Sequence, residues 1–255
     1  MTILQAILYG IIQGITEFFP ISSSGHLVIF QNIFGLKEPQ IAFDICLHLG
    51  TLVSILIFFS KDIIDLFGKD KKMLYALILA SIPTGIMGFL LSGQIEKLFG
   101  MPVIVGYMLI LTGVWLALAT LYTMFKHTHI RSTPGVLNSI VVGIAQGAAI
   151  IPGISRSGAT IATGILSGMD KETAFRFSFL LAIPATLGAT LLKAGKIESQ
   201  MMSGDAINFI VGGLTAMVVG NFAVASLLKL LKNNQLYVFG IYCILAGSLI
   251  IALFF

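Results

Sequence analysis

The sequence predicts an all-α polytopic membrane protein, organised as a single integral-membrane domain over residues 1–255. Of these residues 57% are apolar and only 10% are charged, and the mean hydropathy is +1.00. A soluble chain of this length needs far more charge to cover its surface. Two short polar segments that resemble each other interrupt the apolar chain. We therefore expect two inverted-topology repeats that contain re-entrant helices.

The apolar runs fall into two classes by length. A full span needs roughly 20 apolar residues, and four long runs predict ordinary transmembrane helices. Shorter runs flank the polar segments, and Gly and Pro interrupt them. Such segments at matching places in two halves predict re-entrant or broken helices around a central site. The runs cover about 3–19, 43–59, 73–93, 101–125, 136–151, 157–169, 177–192, 206–231 and 236–255, the long ones being 73–93, 101–125, 206–231 and 236–255.

The two polar segments, which we call the first island (Pro20–His26) and the second island (Pro152–Gly158), are copies of one pattern. A Gln-Gly pair precedes each, beginning at Gln13 and Gln146, and the islands are offset by 133 positions. Hydroxyl, imidazole and guanidinium groups are costly in hydrocarbon. Non-helical breaks persist at membrane depth only where they line a cavity or are buried in protein, so both islands are candidate functional sites.

A second match supports the division into halves. The triplets Ala-Phe-Asp at 42–44 and Ala-Phe-Arg at 174–176 are offset by 132 positions, and an apolar segment follows each. We therefore predict repeat one at about 1–127 and repeat two at about 134–255. Each half contains an odd number of crossings by this reading, which predicts that the second half is inverted relative to the first.

Charge and cysteine content exclude several classes of function. The formal net charge is +4 and most basic residues lie in short connecting segments, where they contact anionic lipid headgroups. They form no basic face, so nucleic acid is not an expected partner, whereas membrane lipids are. Cys46 and Cys243 lie inside apolar runs and are predicted to be small buried side chains rather than a redox pair or metal ligands.

Gln13 and Glu17 lie just before the first island. They are four residues apart and share one face of a helix. A lone intramembrane carboxylate can be a structural hydrogen-bonding group. Beside a serine-rich break, Glu17 is also a candidate ligand for a divalent cation, Mg²⁺ or Ca²⁺, or a general base.

The first island predicts an anion-binding cradle made of Ser22, Ser23, Ser24, Gly25 and His26. A proline ends one helix, small residues let the backbone turn, and the next helix begins with free amide groups. Such a helix N-terminus binds phosphate. Hydroxyls add donors, and His26 supplies a proton-transfer group. The alternative is a serine cluster that caps the helix, with His26 bonded to a carbonyl.

The second island predicts a second cradle. Its candidate phosphate-binding residues are Ser155, Arg156, Ser157, Gly158 and Thr160. Arg156 is costly in a membrane unless it is paired, and a guanidinium binds phosphate through two N–H groups at once. A structural pair with Glu17 is the alternative, and both can hold in the empty protein. If the two islands meet, one contributes carboxylate and imidazole and the other positive charge, which suits cleavage of a phosphoanhydride.

Three polar residues outside the islands are predicted to be structural. Asp44 and Arg176 hold equivalent places in the two repeats, as an ion pair or as separate interface positions. His48 is predicted to be a polar packing residue rather than a ligand.

The motifs resemble those of a known family. Gln13–His26 resembles the first signature of the undecaprenyl-diphosphatases, also called bacitracin-resistance proteins: Glu or Gln, then Glu four residues later, then Pro–Ser–Ser–Thr/Ser–Gly–His. Pro152–Thr160 resembles the second signature, which is the more specific, and Phe177–Pro184 also fits. The match in length and segment order covers essentially the whole chain.

This resemblance implies an integral-membrane enzyme that hydrolyses undecaprenyl diphosphate to undecaprenyl phosphate and inorganic phosphate, regenerating the lipid carrier of cell-wall and surface-glycan synthesis. It implies six transmembrane helices with paired re-entrant helices, dependence on a divalent cation, and an active site open toward the outer side of the plasma membrane. The acidic pair of the family falls on Gln13 and Glu17. Many members carry Glu where this chain has Gln13, so Glu17 is the sole acid of the pair.

The mechanism expected from these residues uses Ser23 or His26 as the attacking group, with the other assisting proton transfer; Ser23 is preferred. Glu17 orients or deprotonates that dyad or holds the cation, and Arg156 stabilises the transferring phosphoryl group.

The rival interpretation is a polyprenyl-phosphate flippase or anion transporter, because inverted repeats and broken helices are transporter architecture. The asymmetry between the islands favours the enzyme, and a purely structural scaffold gives Arg156 no purpose. A homodimer is left open.

Overall fold

The computed structural model describes residues 1–35, 40–125, 133–195, 206–233 and 235–255, so the predicted junction between the repeats, at 128–133, lies mostly outside the described residues. Within these ranges the chain forms helices and no strand. The helices are α1 (Ile3–Thr16), α2 (Ser23–Ile33), α3 (Ile41–Phe58), α4 (Ser60–Phe67), α5 (Lys71–Leu98), α6 (Pro102–Phe125), α7 (Val136–Ala148), α8 (Arg156–Leu166), α9 (Lys171–Leu192), α10 (Ala206–Lys232) and α11 (Leu236–Phe254). The all-α class is confirmed.

Length and composition separate the helices that can cross a membrane from those that cannot. In the described part of the chain, α5, α6, α9, α10 and α11 are long and apolar enough, which gives 5 spans, or up to 6 if α3 and α4 count as one span bent by 70° at Phe59. This confirms the polytopic membrane protein. The bend was not predicted, because the apolar run simply ends there. Phe59 packs against the rings of Phe175 and Phe179.

Two pairs of short helices contain the islands. The first hairpin is α1 and α2, and the second hairpin is α7 and α8. The longest of the four, α1, has 14 residues, or about 21 Å at 1.5 Å per residue, against a hydrocarbon core of about 30 Å. Their short length agrees with the re-entrant prediction, whose membrane placement stays a prediction.

The same cap begins the second helix of each hairpin. The Ser22 hydroxyl accepts a hydrogen bond from the Gly25 amide at 3.2 Å, and the Ser155 hydroxyl accepts one from the Gly158 amide at 3.0 Å. Serine is a favoured N-cap because its oxygen satisfies an amide that has no helical partner. The repeated caps therefore explain why each island turns at the same position.

Each hairpin packs against a helix of the other half of the chain. The first hairpin packs through α1 against α10, and the second packs through α7 against α5, so each hairpin rests on a long helix of the other half. Helices α6 and α11, which are offset by about the repeat length, pack against each other most extensively. Residues of both turns, including Ser22 and Ser155, are buried.

Glycines show the direction of the contact between α6 and α11. A Cβ on Gly106 would lie 2.9 Å from the Gly247 carbonyl oxygen, and one on Gly113 would lie 2.7 Å from the Gly240 carbonyl oxygen. The contacts run in opposite directions along the two helices, which are therefore antiparallel. Antiparallel packing of equivalent helices is what an inverted repeat requires, and the inversion itself stays a prediction.

Gly50→Ala is expected to destabilise the protein by about 1–3 kcal/mol, the usual cost of overpacking. A Cβ at this position of α3 would overlap the carbonyl oxygen of Gly213 on α10. Thermal unfolding of the detergent-solubilised protein measures the effect. The control is Gly93→Ala, where a Cβ meets nothing within 4 Å. Equal unfolding temperatures for the two variants would show that α3 and α10 do not approach as described.

Candidate active site

The turns of the two hairpins meet, and an ion pair joins them. Glu17 follows α1 and Arg156 opens α8, and Arg156 Nη2 donates to Glu17 Oε1 at 2.6 Å. The Ser157 hydroxyl donates to the backbone carbonyl of Glu17 at 3.4 Å. The structure therefore brings together the two islands that the sequence places half a chain apart.

The other oxygen of Glu17 accepts a hydrogen bond from Ser23. The Ser23 Oγ to Glu17 Oε2 distance is 2.6 Å, and both side chains are buried. A hydroxyl within hydrogen-bond reach of a carboxylate has the geometry of a nucleophile beside its general base. Arg156, bound to the opposite oxygen, fixes the orientation of that carboxylate. Ser23, Glu17 and Arg156 thus form one continuous chain of hydrogen bonds.

The backbone just before Ser23 is strained. Ser22 has φ +69°, and it is the only non-glycine residue with positive φ in the described part of the chain. Its counterpart Ser155 has the ordinary extended φ of −74°. Left-handed backbone conformations cost non-glycine residues free energy and cluster at functional sites. The strain turns the chain so that Ser23, six residues after Glu17, folds back onto that carboxylate.

His26 contacts neither Ser23 nor Glu17 through a hydrogen bond in the described structure. Its Nδ1 lies 2.7 Å from the Ser22 carbonyl oxygen, and its Nε2 lies 2.7 Å from Tyr242 Oη on α11. A carbonyl can only accept, so Nδ1 carries the proton and the neutral ring accepts from the tyrosine hydroxyl at Nε2. The expected Ser23–His26 dyad is therefore not formed: Ser23 pairs with Glu17 and His26 with Tyr242.

His48 lies in the site, contrary to the packing role that the sequence predicted for it. Its Nδ1 is 3.2 Å from Glu17 Oε2 and 2.8 Å from Gln13 Nε2. Gln13 Nε2 also donates to Glu17 Oε2 at 3.1 Å. The face shared by Gln13 and Glu17 is thus the face that meets α3, and His48 is the residue it meets.

Asp44 and Arg176 occupy separate positions and do not pair with each other. Asp44 is buried and accepts from Gln31 Nε2 at 2.8 Å. Arg176 bonds Asp62 on α4 at 2.6 Å and lies 3.8 Å from Asp70. Of the two alternatives drawn from the sequence, separate interface positions are the ones observed.

Internal hydrogen bonds close much of the predicted phosphate cradles. The Gly25 and Gly158 amides are used by the cap serines, and Ser155 Oγ and Ser157 Oγ lie 3.3 Å apart in a buried cluster. Thr160 bonds the Arg156 carbonyl at 2.8 Å and the Ser178 hydroxyl at 2.6 Å. In the second cradle the Gly158 amide is thus occupied by the capping serine, and Thr160 bonds the backbone of Arg156.

Ser24 and His26 are the members of the first cradle that are only partly buried, and the Ser24 hydroxyl lies 3.4 Å from that of Ser22. An incoming anion would therefore meet Ser24 before the fully buried serines of either island.

A cavity of about 360 Å³ lies beside this cluster, between α3, α5, α7 and α9. Its wall is mostly apolar. The polar residues on it include Asp44, His48, Gln146 and Arg156. Arg156 thus contacts Glu17 on one side and faces the cavity on the other.

The oxygen ligands available to a cation are few. The described residues contain no group of three or more His, Cys, Asp or Glu side chains placed to hold a metal ion. Gln13 Oε1 is buried without a hydrogen-bond partner in the structure, one helical turn from the Glu17 carboxylate. An amide oxygen and a carboxylate are ligands that Ca²⁺ and Mg²⁺ accept, with further oxygens coming from water or phosphate.

Sequence reasoning missed Tyr242 and misjudged His48. Tyr242 lies within an apolar run 216 positions from its partner, and nothing in that run marks it. His48 did carry a signal: it lies one helical turn after Asp44, so an imidazole and a carboxylate share one face of an apolar helix.

Comparison with known proteins gives full-length matches. The bacitracin resistance protein BacA family matches residues 6–249. An undecaprenyl-diphosphatase of Halothermothrix orenii is 42% identical over 99% of this chain and 98% of its own length. Those of Desulforapulum autotrophicum and Moorella thermoacetica are 39% and 40% identical, covering 97% and 100% of this chain and 96% and 98% of their own lengths.

Proposed function

This chain belongs to the bacitracin resistance protein BacA family, and we propose that it hydrolyses undecaprenyl diphosphate to undecaprenyl phosphate and inorganic phosphate. The product is the lipid carrier of cell-wall and surface-glycan synthesis. The observation that carries the proposal is the chain of short hydrogen bonds from Ser23 through Glu17 to Arg156. We place the enzyme in the plasma membrane with this site facing outward.

The reaction proceeds by double displacement. Ser23 Oγ attacks the terminal phosphorus, its proton passes to Glu17 at 2.6 Å, and the bond to the undecaprenyl phosphate oxygen breaks. Water then attacks the phosphoserine, inorganic phosphate leaves, and Ser23 regains a proton. Splitting one difficult step into two easier ones is the benefit of a covalent intermediate.

Arg156 neutralises the phosphoryl group during both displacements. Its side chain is 17% exposed, and it faces the cavity as well as Glu17. The negative charge spreads over the phosphoryl oxygens in the transition state, so a fixed guanidinium is worth more there than in the ground state. The prenyl chain extends from this point among the apolar walls of the cavity toward the bilayer.

The residues fit a divalent cation held by Glu17 and Gln13 Oε1. Such an ion would supply charge neutralisation for the phosphate groups of the substrate. Glu17 would contribute a carboxylate oxygen and Gln13 an amide oxygen, which has no hydrogen-bond partner in the structure.

Removal of divalent cations by a chelator is expected to lower phosphate release at least about tenfold, because the neutralising charge is worth several kcal/mol. Added Mg²⁺ or Ca²⁺ should restore the rate. The variant Gln13→Ala should require a higher cation concentration for half-maximal activity. Full activity after chelation and dialysis would contradict the cation site while leaving the hydrolase assignment intact.

Tyr242→Phe is expected to destabilise the protein by about 1 kcal/mol, since one hydrogen bond to His26 is lost. The ring stacking on His26 is kept, so the change isolates the hydroxyl. Tyr237→Phe, on the same helix, is the control. Thermal unfolding of the detergent-solubilised protein measures both variants, and equal unfolding temperatures would show that the Tyr242 hydroxyl makes no stabilising contact with His26.

The experiment that tests the function is phosphate release from undecaprenyl diphosphate by the purified protein in detergent. Steady turnover supports the hydrolase. A flippase or anion transporter has no bond to cleave and would release no phosphate in detergent, where there are no two compartments.

A further inference from the structure

We propose that Phe179 is a positioning residue for Arg156: its ring fixes the plane of the guanidinium group in the orientation that binds the transferring phosphoryl group. The proposal rests on the hydrolase function above and deepens it. Phe179 is part of α9 and lies within Phe177–Pro184, the segment that resembles a family motif. It would act on the reaction only through Arg156.

Three contacts hold the guanidinium group of Arg156. Its Nη2 donates to Glu17 Oε1 at 2.6 Å, and its Nη1 donates to the Ser178 carbonyl oxygen at 3.4 Å. Its Cζ lies 5.5 Å from the centroid of the Phe179 ring, within the distance of about 6 Å at which an aromatic face attracts a cation. The first two contacts occupy N–H groups, whereas the contact with the ring occupies none.

The contact with the ring can persist when a phosphate binds. A phosphate accepts hydrogen bonds from two N–H groups of a guanidinium at once, so it competes with Glu17 and with the Ser178 carbonyl for the same donors. The ring does not compete, because it attracts the charge and not a particular N–H group. Of the three contacts, the one with Phe179 is therefore the one that can keep the guanidinium plane fixed while the phosphate is bound.

The ring of Phe179 is itself held by other aromatic side chains. It is fully buried and lies nearly parallel to the Phe18 ring, at 5.5 Å and 28°, and to the Phe59 ring, at 5.9 Å and 19°. The Phe175 ring meets it edge-on at 4.9 Å and 64°. Such ring pairs stabilise a packing arrangement beyond the apolar area that they bury. Because Phe18 lies in the turn of the first hairpin, this cluster also sets the position of Arg156 relative to that hairpin.

A guanidinium with a fixed plane affects the rate more than it affects substrate binding. A preorganised charge needs no reorientation when negative charge develops on the phosphoryl oxygens, so its benefit is largest in the transition state. The prenyl chain contributes to substrate binding separately, through the apolar wall of the cavity. Weakening the contact with the ring should therefore lower kcat and leave KM nearly unchanged.

The test weakens the attraction of the ring for a cation while nearly keeping its shape. Phenylalanine analogues with one, two and three ring fluorine atoms are incorporated at position 179 by nonsense suppression, and each fluorine withdraws electron density from the ring face. We expect kcat for phosphate release from undecaprenyl diphosphate to fall stepwise, to about one tenth with three fluorine atoms, and KM to change by less than about twofold. A kcat that stays constant across the series overturns the proposal.

The matched control is the same fluorine series at Phe175. This ring is equally buried and contacts the rings of Phe59 and Phe179, and within the described residues no cation–π contact joins it to Arg156. The series at Phe175 should leave kcat unchanged. Equal falls of kcat in the two series would show that the aromatic cluster only supports the fold, which also overturns the proposal.

A pair of ordinary variants gives an independent test. Phe179→Leu and Phe175→Leu each remove a buried ring, so both should lower the unfolding temperature of the detergent-solubilised protein. Only Phe179→Leu should also lower kcat about tenfold at a temperature where both variants are folded, and equal kcat values for the two would contradict the role of Phe179. A wild-type protein that releases no phosphate would overturn the hydrolase function itself, whereas a constant fluorine series in an active wild type overturns only the role of Phe179.

Discussion

Ser23→Ala is expected to reduce phosphate release at least about 1,000-fold, to the level left by binding and charge stabilisation alone. Ser23 is the hydroxyl held at 2.6 Å from the Glu17 carboxylate, and the strained φ of +69° at Ser22 directs it there. Substrate binding should survive, because Arg156 and the cavity are untouched. The measurement is phosphate release from purified protein with saturating substrate.

A control variant and a trapping experiment test the same role of Ser23. Ser226→Ala, at an exposed position of α10, is the matched control and should keep full activity. Rapid quenching of the wild-type protein with labelled substrate should trap acid-stable label on serine. Acid-labile label on histidine would instead identify His26 as the nucleophile, and no label at all would mean direct attack by water. Either result contradicts the role given to Ser23.

The position of the site was predictable from the sequence because polarity is costly in hydrocarbon. Hydroxyl, imidazole and guanidinium groups within an apolar chain stand out, and repetition at an offset of 133 indicates two halves that can meet. The helical spacing of Gln13 and Glu17 likewise indicates a shared face. These inferences need only composition and local periodicity.

The pairing inside the site was not predictable, because it depends on turns and on helices from distant segments. The spacing of Glu17 and Ser23 fits no helical face, and only the left-handed backbone at Ser22 brings them together. The side chain that bonds His26 comes from the last helix. The sequence had instead predicted that His26 would pair with Ser23. Tertiary packing of α3 against α1 likewise turns His48 from a packing residue into a neighbour of Glu17.

The two repeats differ in the groups that surround their equivalent glutamines. Gln146, the counterpart of Gln13, donates to the Leu181 carbonyl at 3.3 Å and lies 3.5 Å from Thr84 Oγ1, so it faces a backbone group and a hydroxyl where Gln13 faces a carboxylate and an imidazole. Its own amide oxygen is also buried without a partner. The second half has therefore kept the fold of the site and supplies Arg156, while the first half supplies the groups that move protons.

Arg156→Ala is expected to lower kcat/KM at least about 1,000-fold, comparable to the loss of a guanidinium that stabilises phosphoryl transfer. Arg156→Lys should recover only part of this, since a lysine is a point charge without the planar fork that binds two phosphate oxygens. Steady-state phosphate release measures both. Arg176→Ala is the matched control, because that arginine pairs with Asp62 and Asp70 away from the site, and it should keep its turnover.

The loss of activity must be separated from a loss of stability. Removing Arg156 leaves the buried Glu17 carboxylate without its cation, which costs about 3–5 kcal/mol when a buried pair is broken. Glu17→Gln in the Arg156→Ala background should restore most of the unfolding temperature, since it removes the unpaired charge. Equal unfolding temperatures in the single and double variants would show that the unpaired carboxylate is not the cause of the instability.

The placement of Arg156 argues against that purely structural role. It is the first residue of α8, where the helix dipole disfavours a positive charge. A cation needed only to pair with Glu17 would be better tolerated at a helix C-terminus or on a flanking turn. At the N-terminus of α8, Arg156 has Glu17 on one side, the Phe179 ring at 5.5 Å, and the cavity beyond. That position costs free energy in the empty protein, and the cost is offset when a phosphate brings two more negative charges to the same point. Arg156 is therefore placed for a bound phosphate rather than for Glu17 alone.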